Sequence, residues 1–147
     1  MTKLSDAQKP SLPRRLAAMF YDAWLVAALW LIGSTVDAFV RMGLGGAPGE
    51  GQHWLLQIYL GLAPMVFYVG FWTHGGQTLG MRAWRIRVVN DQGGAISLAQ
   101  AVSRYLFAIL SLIPLGLGFI WAAFDRDRAT WHDRLSHTWL VVTEKLR

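Results

Sequence analysis

Two stretches of this chain carry no charged side chain at all, Trp54–Trp72 and Tyr105–Phe124. A third and longer one, Leu16–Val40, holds only two charges, Asp22 and Asp37. A bilayer hydrocarbon core of about 30 Å is crossed by roughly 20 mostly apolar helical residues, so each stretch has the length of a span. Covering three such helices with a polar coat in water would need far more charge than the chain has. Only 16% of its 147 residues are charged and 54% are hydrophobic, against about 25% charged in an ordinary soluble domain. The net charge of +5 alone would also suit a nucleic-acid partner, but the apolar runs exclude that class. With no cysteine, disulfides, thiol catalysis, iron–sulfur clusters and cysteine zinc sites are excluded as well.

The first stretch starts on Arg14 and Arg15 like a secretory signal. Asp22 interrupts its apolar region and no clear cleavage site follows, so it reads as a retained span. Trp54 and Trp72 bracket the second. Eighteen helical steps set them about 27 Å apart, the spacing of aromatic residues at two membrane interfaces. Spans are expected near 16–40, 54–72 and 98–124. Residues 1–13 form a cytoplasmic tail and 14–143 a single membrane domain.

Basic residues give the orientation. Lys3, Lys9, Arg14 and Arg15 precede the first span, and Arg41 alone falls between the first two. Arg82, Arg85, Arg87 and Arg104 follow the second, and five more close the chain. Lysine and arginine collect on the cytoplasmic side, which sets the N terminus inside and the 41–53 loop outside. A straight third crossing would leave the last five outside. Pro114, Gly116 and Gly118 break the third stretch. Ser97 to Phe124 is too short for two full spans, which together need about 40 residues. The expectation is a broken segment that re-enters and returns inside, with a straight crossing as the alternative. Arg85–Asn90 and His137–Thr143 are β-prone and would make a short cytoplasmic pair, or else irregular interfacial loops. The fold class is thus an all-α membrane protein, with two full transmembrane helices, a Pro/Gly-broken third segment and a short β-pair.

Asp22 is the charge such a chain least tolerates. Intramembrane carboxylates face a bundle interior, a cavity or a partner charge. It is either an ion or proton relay or the anchor of a salt bridge to Arg15, Arg104 or Arg82. Arg15 shares its helix face, about 10.5 Å away along the axis. Asp37 reads as a solvated helix end. In Asp125–Thr138, a helix would bring Asp125, Arg128 and His132 to one face. His132, Asp133 and His137 resemble a metal set only weakly, since no HExxH is present. No motif pairs a serine with a histidine, and Gly75–Gly80 lacks the lysine of a phosphate loop, so it reads as a tight turn. No cofactor and no catalysis are expected, an enzyme built on His132 and Asp133 being the weakest alternative.

Three blocks resemble the RDD family of small prokaryotic membrane proteins, named for an arginine and two aspartates. PRRLAAMFYDAWLV at Pro13–Val26 holds Arg15 and Asp22. Gly76–Leu106 holds a G-Q-T-x-G turn, a basic V-V strand and Arg104. Gly116–Val142 holds H-D-R-L with Asp133. Ser136-His137-Thr138 departs from the usual small residue before the closing threonine, and His137 reads as a local addition.

The resemblance implies about three membrane segments in a bacterial inner membrane and a role in transport, with sodium–proton exchange suggested for some members. On it, Arg15, Asp22, Asp133 and Arg104 become one ion-pathway cluster for a cation or proton. Three segments enclose little space, so a homo-oligomer or a membrane partner is expected beside the lipid bilayer. The alternative is a non-catalytic accessory or assembly protein in which the same residues form a structural salt-bridge network.

Overall fold

The computed structural model describes residues 8–45, 53–114 and 116–143. Ser11, in extended backbone, and Pro13 in the first turn start helix α1, Leu12–Gly43. Proline fits there because the first helical N–H groups have no intrahelical partner. At 1.5 Å per residue α1 is about 48 Å long, longer than a bilayer core. Helix α2, Trp54–Thr73, follows, with Pro64 inside it. Both are long and apolar enough to cross a membrane, and only 6% of the most apolar 18-residue window of each is buried. An apolar exterior of that extent fits lipid and not water.

The two helices approach closely at Gly33, where a Cβ would stand 2.0 Å from the Tyr59 ring. The same ring donates its hydroxyl to Leu29 O at 2.6 Å, and Trp30 Nε1 donates to Leu60 O at 2.9 Å. A small residue at such a crossing is what helix association in lipid requires.

After α2 come a short helix α3, Leu79–Ala83, and strand β1, Ile86–Asn90. Helix α4, Leu98–Leu112, is followed by α5, Leu117–Ile120, which runs into a 3₁₀ turn at Trp121–Ala123. Helix α6, Trp131–Leu135, and strand β2, Thr138–Val142, complete the order. The strands pair antiparallel, Ile86 opposite Val142 and Asn90 opposite Thr138. Both expected strands form and start one residue late, because Arg85 (φ 52°) and His137 (φ 50°) occupy left-handed backbone between helix and strand.

That pattern occurs twice. Thr78 and Thr130 each cap a five-residue helix, each followed by a left-handed residue and a five-residue strand. The two helix–strand units lie antiparallel through their strands.

The core sits at one end of the long helices. Ala18 of α1, Val69 and Trp72 at the end of α2 and Ala101 of α4 meet Ile86, Val88 and Leu140 of the sheet there. Gln8, ahead of α1, joins the same end, since Val142 N donates to its carbonyl at 2.8 Å.

The third apolar stretch does not run straight. α4 and the α5 segment are bent by 110°, and α5 folds back so closely that a Cβ on Gly118 would stand 2.6 Å from Ser111 Cβ. Gly116, with φ 78°, supplies the left-handed turn that glycine adopts without steric cost. α4 starts beside β2, where Gln100 Nε2 donates to His137 O. The chain then returns through α6 to the same end. The fold is mostly helical, with two candidate membrane-spanning helices, a bent third segment and a two-stranded sheet.

Candidate functional site

Asp133 is placed by its own helix. Thr130 and Asp133 form a reciprocal cap at the start of α6. Asp133 N donates to Thr130 Oγ1 at 3.3 Å and Thr130 N donates to Asp133 Oδ2 at 2.9 Å. This turns the carboxylate back toward the helix start and into the core. There Arg15 Nη1 donates to Oδ2 at 2.6 Å, and Arg104 Nη1 lies 2.7 Å from Oδ1. Arg15 is 5%, Arg104 2% and Asp133 0% exposed.

One buried carboxylate thus joins α1, α4 and α6. Further bonds fix the arginines. Arg15 Nη2 donates to Arg128 O at 2.5 Å, and Arg104 Nη1 to Thr138 Oγ1 at 2.6 Å. The Arg104 guanidinium also lies 5.2 Å from the centre of the Trp72 ring, within cation–π range.

Burial penalises a charged Asp133, but the attraction of Arg104 and Arg15 outweighs that and holds the carboxyl well below the usual carboxylate range. His132 goes the other way from its ordinary value of 6.5. Burial, reinforced by repulsion from Arg104 and Arg15, outweighs the attraction of Asp133 and pulls the imidazole down to about 3. It is therefore neutral, with its ring centre 4.6 Å from that of Phe119.

Asp22 takes part in none of this. Arg15, Ala18, Asp22 and Val26 make the buried stripe of α1, so Arg15 and Asp22 do share a face. Yet Asp22 is paired with no arginine among the described residues. Its Oδ2 accepts from the Thr78 hydroxyl at 2.5 Å and its Oδ1 from Gly80 N at 2.9 Å. Thr78 Oγ1 meanwhile accepts from Met81 N as the cap of α3. The salt bridge to Arg15, Arg104 or Arg82 weighed for Asp22 is replaced by neutral donors at the first turn of α3. Gly80 is required there, because a Cβ would fall 2.3 Å from Ala18 O and 2.8 Å from Asp22 Oδ1.

The four expected residues thus divide three to one: Arg15, Arg104 and Asp133 together, Asp22 apart. Arg15 and Arg104 of the first group, and Asp22, lie along one cavity of about 260 Å³ between α1, α2 and α4, lined also by Tyr68, Trp72 and His132 among others.

The expected helical face of Asp125, Arg128 and His132 does not form. Asp125 instead starts a turn, accepting from Arg128 N and Ala129 N, and Arg128 takes φ 49°. His132 is buried, while His137 is exposed beside Asp91 at 3.6 Å. Among the described residues no group of three His, Asp or Glu is placed to hold a metal. Asp37, read as a solvated helix end, is bound by Arg41 Nε at 2.8 Å.

Sequence reasoning missed Thr78, Thr130 and Thr138, the hydroxyls that seat the charges. The signal was present in Thr130-x-x-Asp133, which has the spacing of a helix cap.

A model of the RDD family matches residues 9–137, a range that includes Arg15, Asp22, Arg104 and Asp133. YxaI of Bacillus subtilis (strain 168), described as an uncharacterised protein, is 37% identical over 144 residues, covering 86% of this chain and 93% of that relative. No solved structure matches the chain. Family membership and the apolar helices together fit an integral membrane protein. The chain belongs to the RDD family.

Proposed function

We propose that this is a multi-pass inner-membrane protein with a cytoplasmic N terminus, transporting a small ion or solute as an oligomer and without a catalytic step. The observation that supports this best is the cavity, which brings Arg15, Asp22 and Arg104 together between helices apolar enough to span a bilayer. With α1 and α2 crossing and the bent segment returning, every basic residue except Arg41 falls on one side, as the charge bias of membrane loops favours. Cation–proton exchange with Asp22 as carrier is the finest form of this reading. Reconstituted vesicles test it: cation-driven proton flux is expected, and full flux in Asp22→Asn removes that carboxylate as the carrier.

One observation favours the accessory-protein reading for three of the four residues of the cluster. Asp133 is shared by two guanidiniums and a backbone N–H, so a cation could reach it only by displacing both arginines. We assign Arg15, Asp133 and Arg104 the role of a fixed clasp and the cavity beside them the role of binding place. Substitution in the clasp would lower abundance in the membrane. Substitution in the cavity would lower flux at normal abundance.

A further inference from the structure

The inner end of the cavity holds more hydrogen-bond donors than the protein uses. Arg104 spends one nitrogen, Nη1, on both Asp133 and Thr138. Its Nε has no partner among the described residues, and neither has Arg15 Nε nor the indole N–H of Trp72. All three residues line the cavity and are more than nine-tenths buried. A buried donor left unpaired costs about 1–3 kcal/mol, and most buried polar groups in proteins are satisfied.

The carboxylates on or beside this wall are engaged. Asp22 has both oxygens occupied by Thr78 and Gly80, and Asp133 faces the two guanidiniums. Asp133 Oδ1, 2.7 Å from Arg104 Nη1, and the ring nitrogen Nδ1 of His132 also make no hydrogen bond among the described residues, but three of the five unpaired atoms are donors, which an added acceptor would satisfy. With Asp22 turned to Thr78 and Gly80, the two arginines share Asp133 at this end, and an anionic acceptor is the fitting kind.

Much of the rest of the wall is apolar. Leu16 of α1 and Ile109 and Leu112 of α4 flank the cavity, and all three are exposed on the apolar exterior of the helices. The cavity therefore runs from the arginines toward the lipid-facing side. A small hydrated anion would shed its water against hydrocarbon there, at a cost. An anion carrying its own hydrocarbon chain would bury that chain with gain, about 0.8 kcal/mol per methylene.

We infer that this cavity binds the carboxylate or phosphate head of a single-chain amphiphile, with the chain leaving between α1 and α4. This names the solute class for the transport reading and rests on that reading for the place of the site. Binding itself requires no transport.

The test uses the full chain in phosphatidylcholine nanodiscs, with empty discs as reference, and equilibrium dialysis of five probes. Dodecanoate and dodecyl phosphate are expected to bind at least about tenfold more tightly than dodecanol, dodecyltrimethylammonium or inorganic phosphate. Equal binding of dodecanol or of the quaternary ammonium overturns the anionic head. Equal binding of inorganic phosphate overturns the chain.

Ala108→Leu, which fills the cavity and leaves the clasp intact, should remove the binding. Trp72→Phe deletes an N–H that no group among the described residues uses and should weaken binding about tenfold while the chain stays folded. Tight binding undiminished in both variants places the amphiphile elsewhere and overturns the site. Dodecanoate bound without flux in vesicles defeats the transport reading alone. Flux without dodecanoate or dodecyl phosphate binding defeats this inference alone.

Discussion

Arg15 and Asp133 stand 118 positions apart in the chain and meet at 2.6 Å, both withdrawn from solvent. The pair ties the start of α1 to α6, and Arg104 makes it a three-body contact. Removing one partner of a buried ion pair typically costs about 3–5 kcal/mol, because the remaining charge stays buried. Asp133→Asn leaves two arginines without a countercharge. We expect it to lower the thermal midpoint in detergent and the amount of protein in the membrane. Arg15→Ala should do the same, and the double variant should lose less than the sum of the two, since the partners are shared. Additive losses would show that the two groups are not coupled.

Asp22 should respond differently. Its partners are a hydroxyl and a backbone N–H, so Asp22→Asn can keep the Gly80 bond and offer its amide to Thr78. A loss of about 1 kcal/mol is expected, with near-normal abundance. Exchanging Asp22 with Arg15 should restore nothing. Gly80→Ala should be worse than Asp22→Asn, because its methyl would strike Ala18 O. Abundance on membrane immunoblots ranks the three, and rescue by the arginine exchange would contradict the geometry.

Stability toward acid should be governed by His132 before any carboxylate. The folded imidazole is held down to about 3 from an unfolded value of 6.5. As pH falls below 6.5, the unfolded chain takes up a proton that the native state refuses, and stability is lost. Across that window the slope is about 1.4 kcal/mol per pH unit. Asp133, whose folded value is depressed, contributes stability that is present above 3.8 and lost only below it. His132→Phe keeps a ring against Phe119 and removes the titration. Unfolding midpoints compared at about pH 4.5 and about pH 6.5 should differ less in that variant than in the parent.

Topology offers the most direct check. Val142 N donates to Gln8 O, so the two ends of the described chain meet, and on the proposed topology they share one side of the membrane. A reporter fused after Arg147 should therefore report the cytoplasm together with one fused at the N terminus. Opposite sides would make the bent segment a true crossing.

Much of the fold was legible because membranes impose blunt rules. Long runs with few or no charges gave α1 and α2, and Pro114 with Gly116 gave a third segment that is bent. The β-pair could be read from Arg85–Asn90 and His137–Thr143 to within a residue at each end.

The site was less legible. Arg15 and Asp22 share a helix face, and spacing along one helix says nothing of which neighbour reaches each side chain. Thr78 and Gly80 decided Asp22. Their claim on it depends on where α3 docks against α1, a tertiary contact without periodicity. The charge-rich stretch after Phe124 misled for a local reason. The Asp125 carboxylate accepts from the Ala129 backbone and so closes a tight turn where a helix was expected, as aspartate side chains can.

The clasp also has a consequence in time. A ribosome adding about 5–20 residues per second needs roughly 6 to 24 s to travel from Arg15 to Asp133. Through that interval Arg15 has no countercharge from α6, although α1 is already made. A chain cut short before Thr130 would present both Arg15 and Arg104 unneutralised at the membrane. Asp133 is thus a completion mark, by which a finished molecule differs electrically from any chain cut short ahead of it.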